Sequence, residues 1–222
     1  MPGRAFRDTS TQVSRICGGT AVSVSTPPTP RVDRRVQRTH RLLRSALIEL
    51  VQQRGWDQVT VQDVCERADV GRSTFYVHYA DKEELLISGF EDLKSELRKH
   101  AATCEEPLGF TLALLEHVMQ YQGMIRALTG TGTLQVVQRK FMEVVIVLVE
   151  EDLRQISGID PLREAAARYL AGAFWELLHW WGGWGMQRRN TPAVAVDQIF
   201  RRLTRPVLRE LRRASRDGTA AR

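Results

Sequence analysis

The side chains whose functional groups point to the most specific chemistry are four neighbours near residue 75. They are Arg72, Ser73, Tyr76 and Val77, which carry a guanidinium, a hydroxyl, a phenol and a pair of methyl groups. Proteins use these groups to contact guanine edges, phosphates and thymine methyls. On a helix, at about 100° per residue, Ser73, Tyr76 and Val77 point away from Phe75, and the long side chain of Arg72 can reach the same side. Because the DNA major groove admits one α-helix, the pattern predicts a helix that reads DNA.

A second short helix precedes this one, and together they predict a helix-turn-helix motif. Thr60 and Asp63 have the spacing of a capping box, which predicts that a helix starts there. Gly71 lies in a turn of three to four residues between the two helices. The small side chain of Ala68 suits the point at which such helices cross.

The rest of the chain predicts further helices, so we expect an all-α fold. Apolar residues recur at three- and four-residue spacing, and alternating strand patterns are absent. The remaining predicted helices cover about 34–54, 81–100 and 133–156, and others begin at Pro161 and Pro192. An apolar segment that begins at Pro107 is also expected to be helical. We expect a flexible tail over 1–30, a three-helix helix-turn-helix domain over 31–80, a connecting helix over 81–100, a C-terminal helical bundle over 101–213 and a flexible tail over 214–222.

Length, cysteine content and motif content exclude several protein classes. The 222 residues include three cysteines, too few to stabilise a disulfide scaffold of this size. The longest apolar run, starting at Val144, is far shorter than the roughly 20 residues that span a bilayer, and no signal-peptide pattern occurs. Catalytic arrangements, metal-ligand spacings and glycine-rich phosphate loops are absent. We therefore expect a cytoplasmic protein that is not an enzyme, has no cofactor or metal and has no membrane partner.

The formal charge of +6 is distributed unevenly along the chain. Residues 31–54 hold seven arginines against two acidic residues, whereas residues 55–100 carry a net −4 and residues 161–222 a net +7. Bulk charge therefore does not locate a DNA-binding surface. Within the first arginine run, Arg35 and Thr39 lie near the helix start and are candidates for clamping a phosphate.

Residues 34–100 as a whole resemble the DNA-binding domain of the TetR family of bacterial transcriptional regulators. The matching segments are 55–56, 60–64, 68–70 and 73–86. The resemblance implies phosphate contacts by Tyr76 and Lys82, base contacts by Arg72, Ser73, Thr74 and Val77, and a contact of Thr60 with the DNA backbone. The position of His78 contacts DNA in some members of the family, although the helical angles turn this side chain inward.

The resemblance continues over residues 101–222 in architecture alone. It implies a C-terminal ligand-binding and dimerisation bundle, and a homodimer that binds a palindromic operator in double-stranded DNA and is released by a small-molecule effector. The residues predicted to contact the effector are Phe110, Leu114, His117, Tyr121, Phe141, Val145, Trp175 and His179. The residues predicted to form the dimer interface are Phe174, Leu178, Trp181, Phe200, Leu203 and Val207.

Three alternatives remain open at this point. The aromatic residues and two histidines of the bundle indicate a largely apolar effector with one polar group, but the net negative charge of residues 101–160 also suits a cationic one. The tryptophan cluster could close the core of a single subunit instead of a dimer interface. A repressor is the first hypothesis for the function, and a transcriptional activator or a protein-binding co-regulator with the same fold is the alternative.

Overall fold

The computed structural model of the chain describes residues 31–156, 160–182 and 191–220, and over these ranges it contains nine helices and no strand. The helices are α1 (Arg31–Arg54), α2 (Val61–Ala68), α3 (Arg72–His78), α4 (Lys82–Thr103), α5 (Thr111–Gln120), α6 (Gln122–Ala127), α7 (Gly132–Arg154), α8 (Asp160–Gly182) and α9 (Ala193–Ala220). The all-α prediction is confirmed for this part of the chain. The predicted tail over 1–30 lies outside the described residues.

Helix α2 begins after Thr60 because the predicted capping box forms. The Thr60 hydroxyl accepts a hydrogen bond from the Asp63 amide (3.2 Å), and the Asp63 carboxylate accepts one from the Thr60 amide (2.8 Å). Hydrogen bonds from Thr60, first from its side chain, lower the pKa of Asp63. The helix ends at Asp69, whose left-handed backbone (φ 52°) turns the chain toward α3. The helix-turn-helix geometry therefore follows from local sequence.

The core of the helix-turn-helix domain extends beyond the motif. Leu47 of α1 and Phe75 of α3 lie in one buried cluster, and so do Leu128, just after α6, and Val137 of α7. The boundary predicted at residue 80 marks the end of the motif but not the end of its core. Residues from the C-terminal half of the chain complete that core.

A second core holds the C-terminal bundle together. Helix α7 packs against α4 and α8, and α8 packs against α9. The rings of Phe174 on α8 and Phe200 on α9 meet edge to face, with centroids 5.1 Å apart. Both side chains are almost completely buried, as are Phe110 and Leu114.

A partly buried polar cluster fixes the turn before α5, in the apolar segment that begins at Pro107. Leu108 has a left-handed backbone (φ 64°), and its amide donates to the Asp152 carboxylate (2.7 Å). The Leu108 carbonyl accepts from the Thr111 hydroxyl (2.9 Å) and the Arg201 guanidinium (3.1 Å). Because these partners satisfy a non-helical backbone, the helix starts later, at Thr111.

The last helix differs from the tail that the sequence predicts at the end of the chain. Helix α9 continues to Ala220, through most of the segment 214–222 that the sequence predicts to be a flexible tail. Ala214 and Arg216 favour this extension, whereas Gly218 opposes it. Among the described residues, no helix has both the length and the apolar character needed to cross a bilayer.

Candidate functional site

Helix α3 has one buried face and one outward face, as its sequence predicts. Phe75 is fully buried, and the C-cap residue Tyr79 is nearly so, which anchors the helix to the domain. Tyr76 and Val77 are 51% and 77% exposed. The exposed Arg72 places its guanidinium carbon 5.9 Å from the centre of the Tyr76 ring. Ser73 and Thr74 are also exposed. The outward face therefore gathers the predicted base-reading residues on a rigid support.

His78 lies against α1 and not on the outward face. Its ring centroid is 4.7 Å from that of His40, and His40 also contacts Tyr79 at 5.2 Å. Burial, and secondarily the charge of His78, lower the pKa of His40. The inward orientation that the helical angles predict for His78 is confirmed, and this side chain joins α3 to α1.

Thr60 and Lys82 have structural partners at the turn between α1 and α2. The Lys82 ammonium donates to the Trp56 carbonyl (2.6 Å) and the Val59 carbonyl (2.8 Å), and lies 4.5 Å from the centre of the Trp56 ring. Burial lowers the pKa of Lys82, against the opposing charge of Asp57. Since an ammonium has three N–H donors, one remains for an external acceptor. The phosphate contact of Lys82 stays a prediction.

Arg35 and Thr39 lie on the first turns of α1. Arg35 is exposed, and the Thr39 hydroxyl donates to the Arg35 carbonyl (3.1 Å). The next residue, His40, contacts His78, so this part of α1 lies beside the end of α3. The phosphate contacts of Arg35 and Thr39 also stay predictions.

A cavity of about 360 Å³ lies where the helix-turn-helix domain meets the C-terminal bundle. Its walls come from α1, α4, α5, α6, α7 and α8. Three predicted effector-binding residues line it, namely His117, Tyr121 and Phe141. Helix α1 contributes Arg44 and Ile48, so a molecule in this cavity would touch the helix-turn-helix domain directly.

The other predicted effector-binding residues lie elsewhere. Phe110, Leu114 and Val145 have no exposed surface, because they fill the core of the bundle. Trp175 packs on Phe141 with ring centroids 5.8 Å apart, and the His179 ring lies against Trp175. None of these five lines the cavity. Their apolar spacing on the helices identifies burial but does not distinguish a core from a cavity wall.

The polar pair inside the cavity is uncharged at neutral pH. Burial lowers the pKa of His117 to about 4, and burial also raises the pKa of Tyr121. The two ring centroids are 4.5 Å apart on successive turns of α5 and its C-cap. Neither side chain forms a hydrogen bond with another residue of the described chain. The pair therefore presents free donors and acceptors to the cavity.

The structure divides the residues predicted for the dimer interface into two groups, one buried within the single chain and one exposed or half-buried. Phe174, Leu178, Trp181 and Phe200 are buried within the single chain, and two of them, Leu178 and Trp181, line the cavity. The burial of these four residues fits the alternative, in which the tryptophan cluster closes the core of a single subunit. Of the predicted interface set, Leu203 is 68% exposed and Val207 is half-buried.

Sequence reasoning did not single out several residues of the cavity wall and of the exposed apolar surface of α8. At the cavity it missed the α1 and α4 residues, including Ile48 and Phe90. Ile48 is a branched apolar residue beside the main apolar stripe of α1, which was the available signal. On α8 it missed Tyr169, which is 64% exposed, and the exposed Trp180. These two are eleven residues apart and so share one helix face.

The hydrogen bonds of Lys82 lead to a prediction about the stability of the fold. We expect Lys82→Met to lower the free energy of unfolding by about 1–3 kcal/mol, because two buried carbonyls lose a charged donor. Lys140→Met is the matched control, since Lys140 pairs only with Glu143 at the surface of α7 and its loss costs about 0.5 kcal/mol or less. Urea denaturation at one protomer concentration measures both. Equal stability of the two variants would contradict the structural role of Lys82.

His117 generates a prediction about pH. Its folded pKa, about 4, lies below its ordinary value of 6.5, so the unfolded chain binds the proton more readily. Stability is therefore lost as the pH falls below about 6.5. We expect this group to reduce the free energy of unfolding by about 2 kcal/mol between pH 7.5 and pH 5. Denaturant titrations at both pH values should show a smaller loss in His117→Leu. An identical loss in both proteins would show that the imidazole is not buried.

Comparison with known proteins assigns this architecture to one family. Residues 43–88 match the model described as bacterial regulatory proteins, tetR family. Over 102 residues the chain is 31% identical to YxbF, an uncharacterised HTH-type transcriptional regulator of Bacillus subtilis (strain 168). That match covers 46% of this chain and 27% of the regulator, so the matched part corresponds to about a quarter of the relative's length.

Solved structures match over most of the chain. The crystal structure of a TetR transcriptional regulator from Streptococcus agalactiae 2603V is 30% identical, with a TM-score of 0.53, and the match covers 76% of this chain and 94% of that one. The dihydroxyacetone kinase operon activator DhaS shares the fold at 19% identity, with a TM-score of 0.54 and coverage of 78% and 96%. With the helix-turn-helix geometry and a 30% identical relative matched over nearly its whole length, the chain belongs to the TetR family of bacterial regulatory proteins.

Proposed function

We propose that this protein is a dimeric transcriptional repressor that binds a palindromic operator through α3 and is released by a small-molecule effector. The observation that carries the proposal is the division of α3 into an anchored face, with Phe75, and an outward face, with Arg72, Tyr76 and Val77. A helix that offers these groups on a rigid support fits the major groove. Family membership supports the same reading.

Dimerisation is supported by the exposed apolar surface of the last two helices. Tyr169 and Trp180 share one face of α8, and Ile199 and Leu203 share one face of α9. Large apolar and aromatic side chains of this kind anchor protein interfaces. A dimer would place two copies of α3 on two half-sites, which is how helix-turn-helix proteins read palindromic DNA.

Release by an effector is supported by the position of the cavity. One of its walls is α1, which also contributes Leu47 to the core that supports α3. An effector changes DNA affinity only if it binds the two conformations with different affinity. A ligand packed against α1 could produce such a difference in affinity directly, because a movement of α1 shifts the core that supports α3, the proposed recognition helix.

The alternative is a transcriptional activator with the same fold. DhaS, which shares the architecture, is described as an operon activator. The position of the operator relative to the promoter separates a repressor from an activator. A reporter fused to the regulated promoter makes the distinction, because deletion of the gene raises expression for a repressor and lowers it for an activator.

The DNA-binding proposal predicts a different loss of DNA affinity for each of two variants. On the intergenic duplex beside the protein's own gene, Tyr76→Ala should weaken binding to every duplex, because it removes a phosphate contact. Arg72→Ala should cost about 1–3 kcal/mol on the preferred duplex and relax the preference for it. Fluorescence anisotropy at fixed salt, with an unrelated duplex beside the preferred one, measures both effects.

The control for these variants is Arg139→Ala, which removes an exposed arginine from α7. Its affinity should equal that of the wild type. The proposed site is wrong if Tyr76→Ala and Arg72→Ala bind the duplex as tightly as the control does.

The dimer proposal predicts a matched pair of outcomes on α9. Leu203→Glu should raise the dimer dissociation constant by at least about tenfold, because it places a charge in an apolar interface. Gln198→Glu adds the same charge about 140° around the helix and should leave the dimer intact. Sedimentation over a range of concentrations measures both constants, and circular dichroism confirms that both variants are folded. A monomeric wild type, or equal constants for the two variants, would contradict the interface.

A further inference from the structure

We infer that the cavity between α1 and the C-terminal bundle takes an uncharged, mainly apolar molecule with one hydrogen-bonding group, which His117 and Tyr121 hold. The inference rests on the proposed function, in that it names the chemical class of the effector. It also decides between the two effector classes that the sequence leaves open, the apolar and the cationic.

The first step is the apolar character of the walls. Leu47 of α1, Leu86 and Leu93 of α4, Phe141 of α7 and Trp181 of α8 all line the cavity and are themselves buried. These walls come from four helices on different sides of the space. A molecule in contact with them gains free energy through its apolar surface, at roughly 25 cal/mol per Å² removed from water.

The second step is the polar pair on one wall. His117 and Tyr121 face the cavity one helical turn apart, and neither has a hydrogen-bond partner in the described chain. A neutral imidazole offers one donor and one acceptor, and a phenol can do either. A hydroxyl or carbonyl group of a ligand satisfies them without adding a charge to the cavity.

The third step is the balance of charge at the rim. Arg41, Asp92 and Glu96 line the cavity but are exposed to solvent. Arg44, beside them, forms an ion pair with Asp92. Two positive and two negative side chains leave no net charge to attract an ion. An ionic ligand would lose its hydration in the apolar space without an unpaired counter-charge, and this loss is costly.

The test uses three matched probes that share one apolar chain and differ in the head group: octan-1-ol, octanoate and octylammonium. Isothermal titration calorimetry at pH 7.5 with the full-length protein, in the absence of DNA, measures each dissociation constant. We expect octan-1-ol to bind at least about tenfold more tightly than either ion. Equal or tighter binding of an ion, or no binding of octan-1-ol up to its solubility, overturns the inference.

Two variants then locate the head group. His117→Leu and Tyr121→Phe each remove hydrogen-bonding capacity while keeping an apolar or aromatic side chain, and each should weaken octan-1-ol binding by about 2- to 10-fold. His100→Leu, at the far end of α4 and outside the cavity, is the control and should bind as the wild type does. Unchanged affinity in both cavity variants, with circular dichroism confirming the fold, also overturns the inference.

These outcomes are separate from the test of DNA binding. Preference for a charged probe overturns the chemical class of the effector and leaves operator binding by α3 intact. Loss of the proposed operator binding, in contrast, shows in the anisotropy experiment with the α3 variants and does not depend on any probe.

Discussion

The structure depends on one packing constraint, which is that α1 belongs to the core of the helix-turn-helix domain and also forms a wall of the cavity. Leu47, on this helix, packs in the cluster that holds the recognition helix through Phe75 and also lines the cavity. Leu128 and Val137, from the other half of the chain, complete that same cluster. Because buried side chains are close-packed, a shift of α6 or of the start of α7 cannot leave α1 and α3 unchanged.

In the proposed function, this constraint is what lets a small molecule act on DNA binding without touching DNA. The cavity is bounded by the helices that meet at α1, and the pair of His117 and Tyr121 lies on the wall that α5 contributes. His40 of α1 contacts His78 and Tyr79 beside α3. Helix α1 therefore lies between the cavity, which its residue Arg41 lines, and the end of α3, which its residue His40 contacts.

Much of the DNA-binding domain could be predicted from sequence, because its signals are local. The capping box at Thr60 and Asp63 lies within four residues, and the two faces of α3 follow from its helical period. The C-terminal bundle was harder to predict, because the helical period of apolar residues does not show which apolar side chains face the core. Phe174 and Tyr169 are both aromatic residues of α8, yet one is buried and the other is exposed. The contacts of Lys82 were equally hard to predict, since its hydrogen-bond partners are carbonyls more than twenty residues away in the sequence.

Hydrogen exchange in the variant Leu128→Ala most directly tests the core of the helix-turn-helix domain, to which both halves of the chain contribute. Leu128 has no exposed surface and lies far along the chain from α2 and α3. Leu170→Ala, an equally buried change in the other core, is the control. Mass spectrometry of the native proteins should show faster exchange in α2 and α3 for Leu128→Ala, and a weaker effect there for Leu170→Ala, because deleting a buried leucine loosens its own cluster first. Unchanged exchange in α2 and α3, or the same change in both variants, would contradict the coupling of the recognition helix to the C-terminal half of the chain.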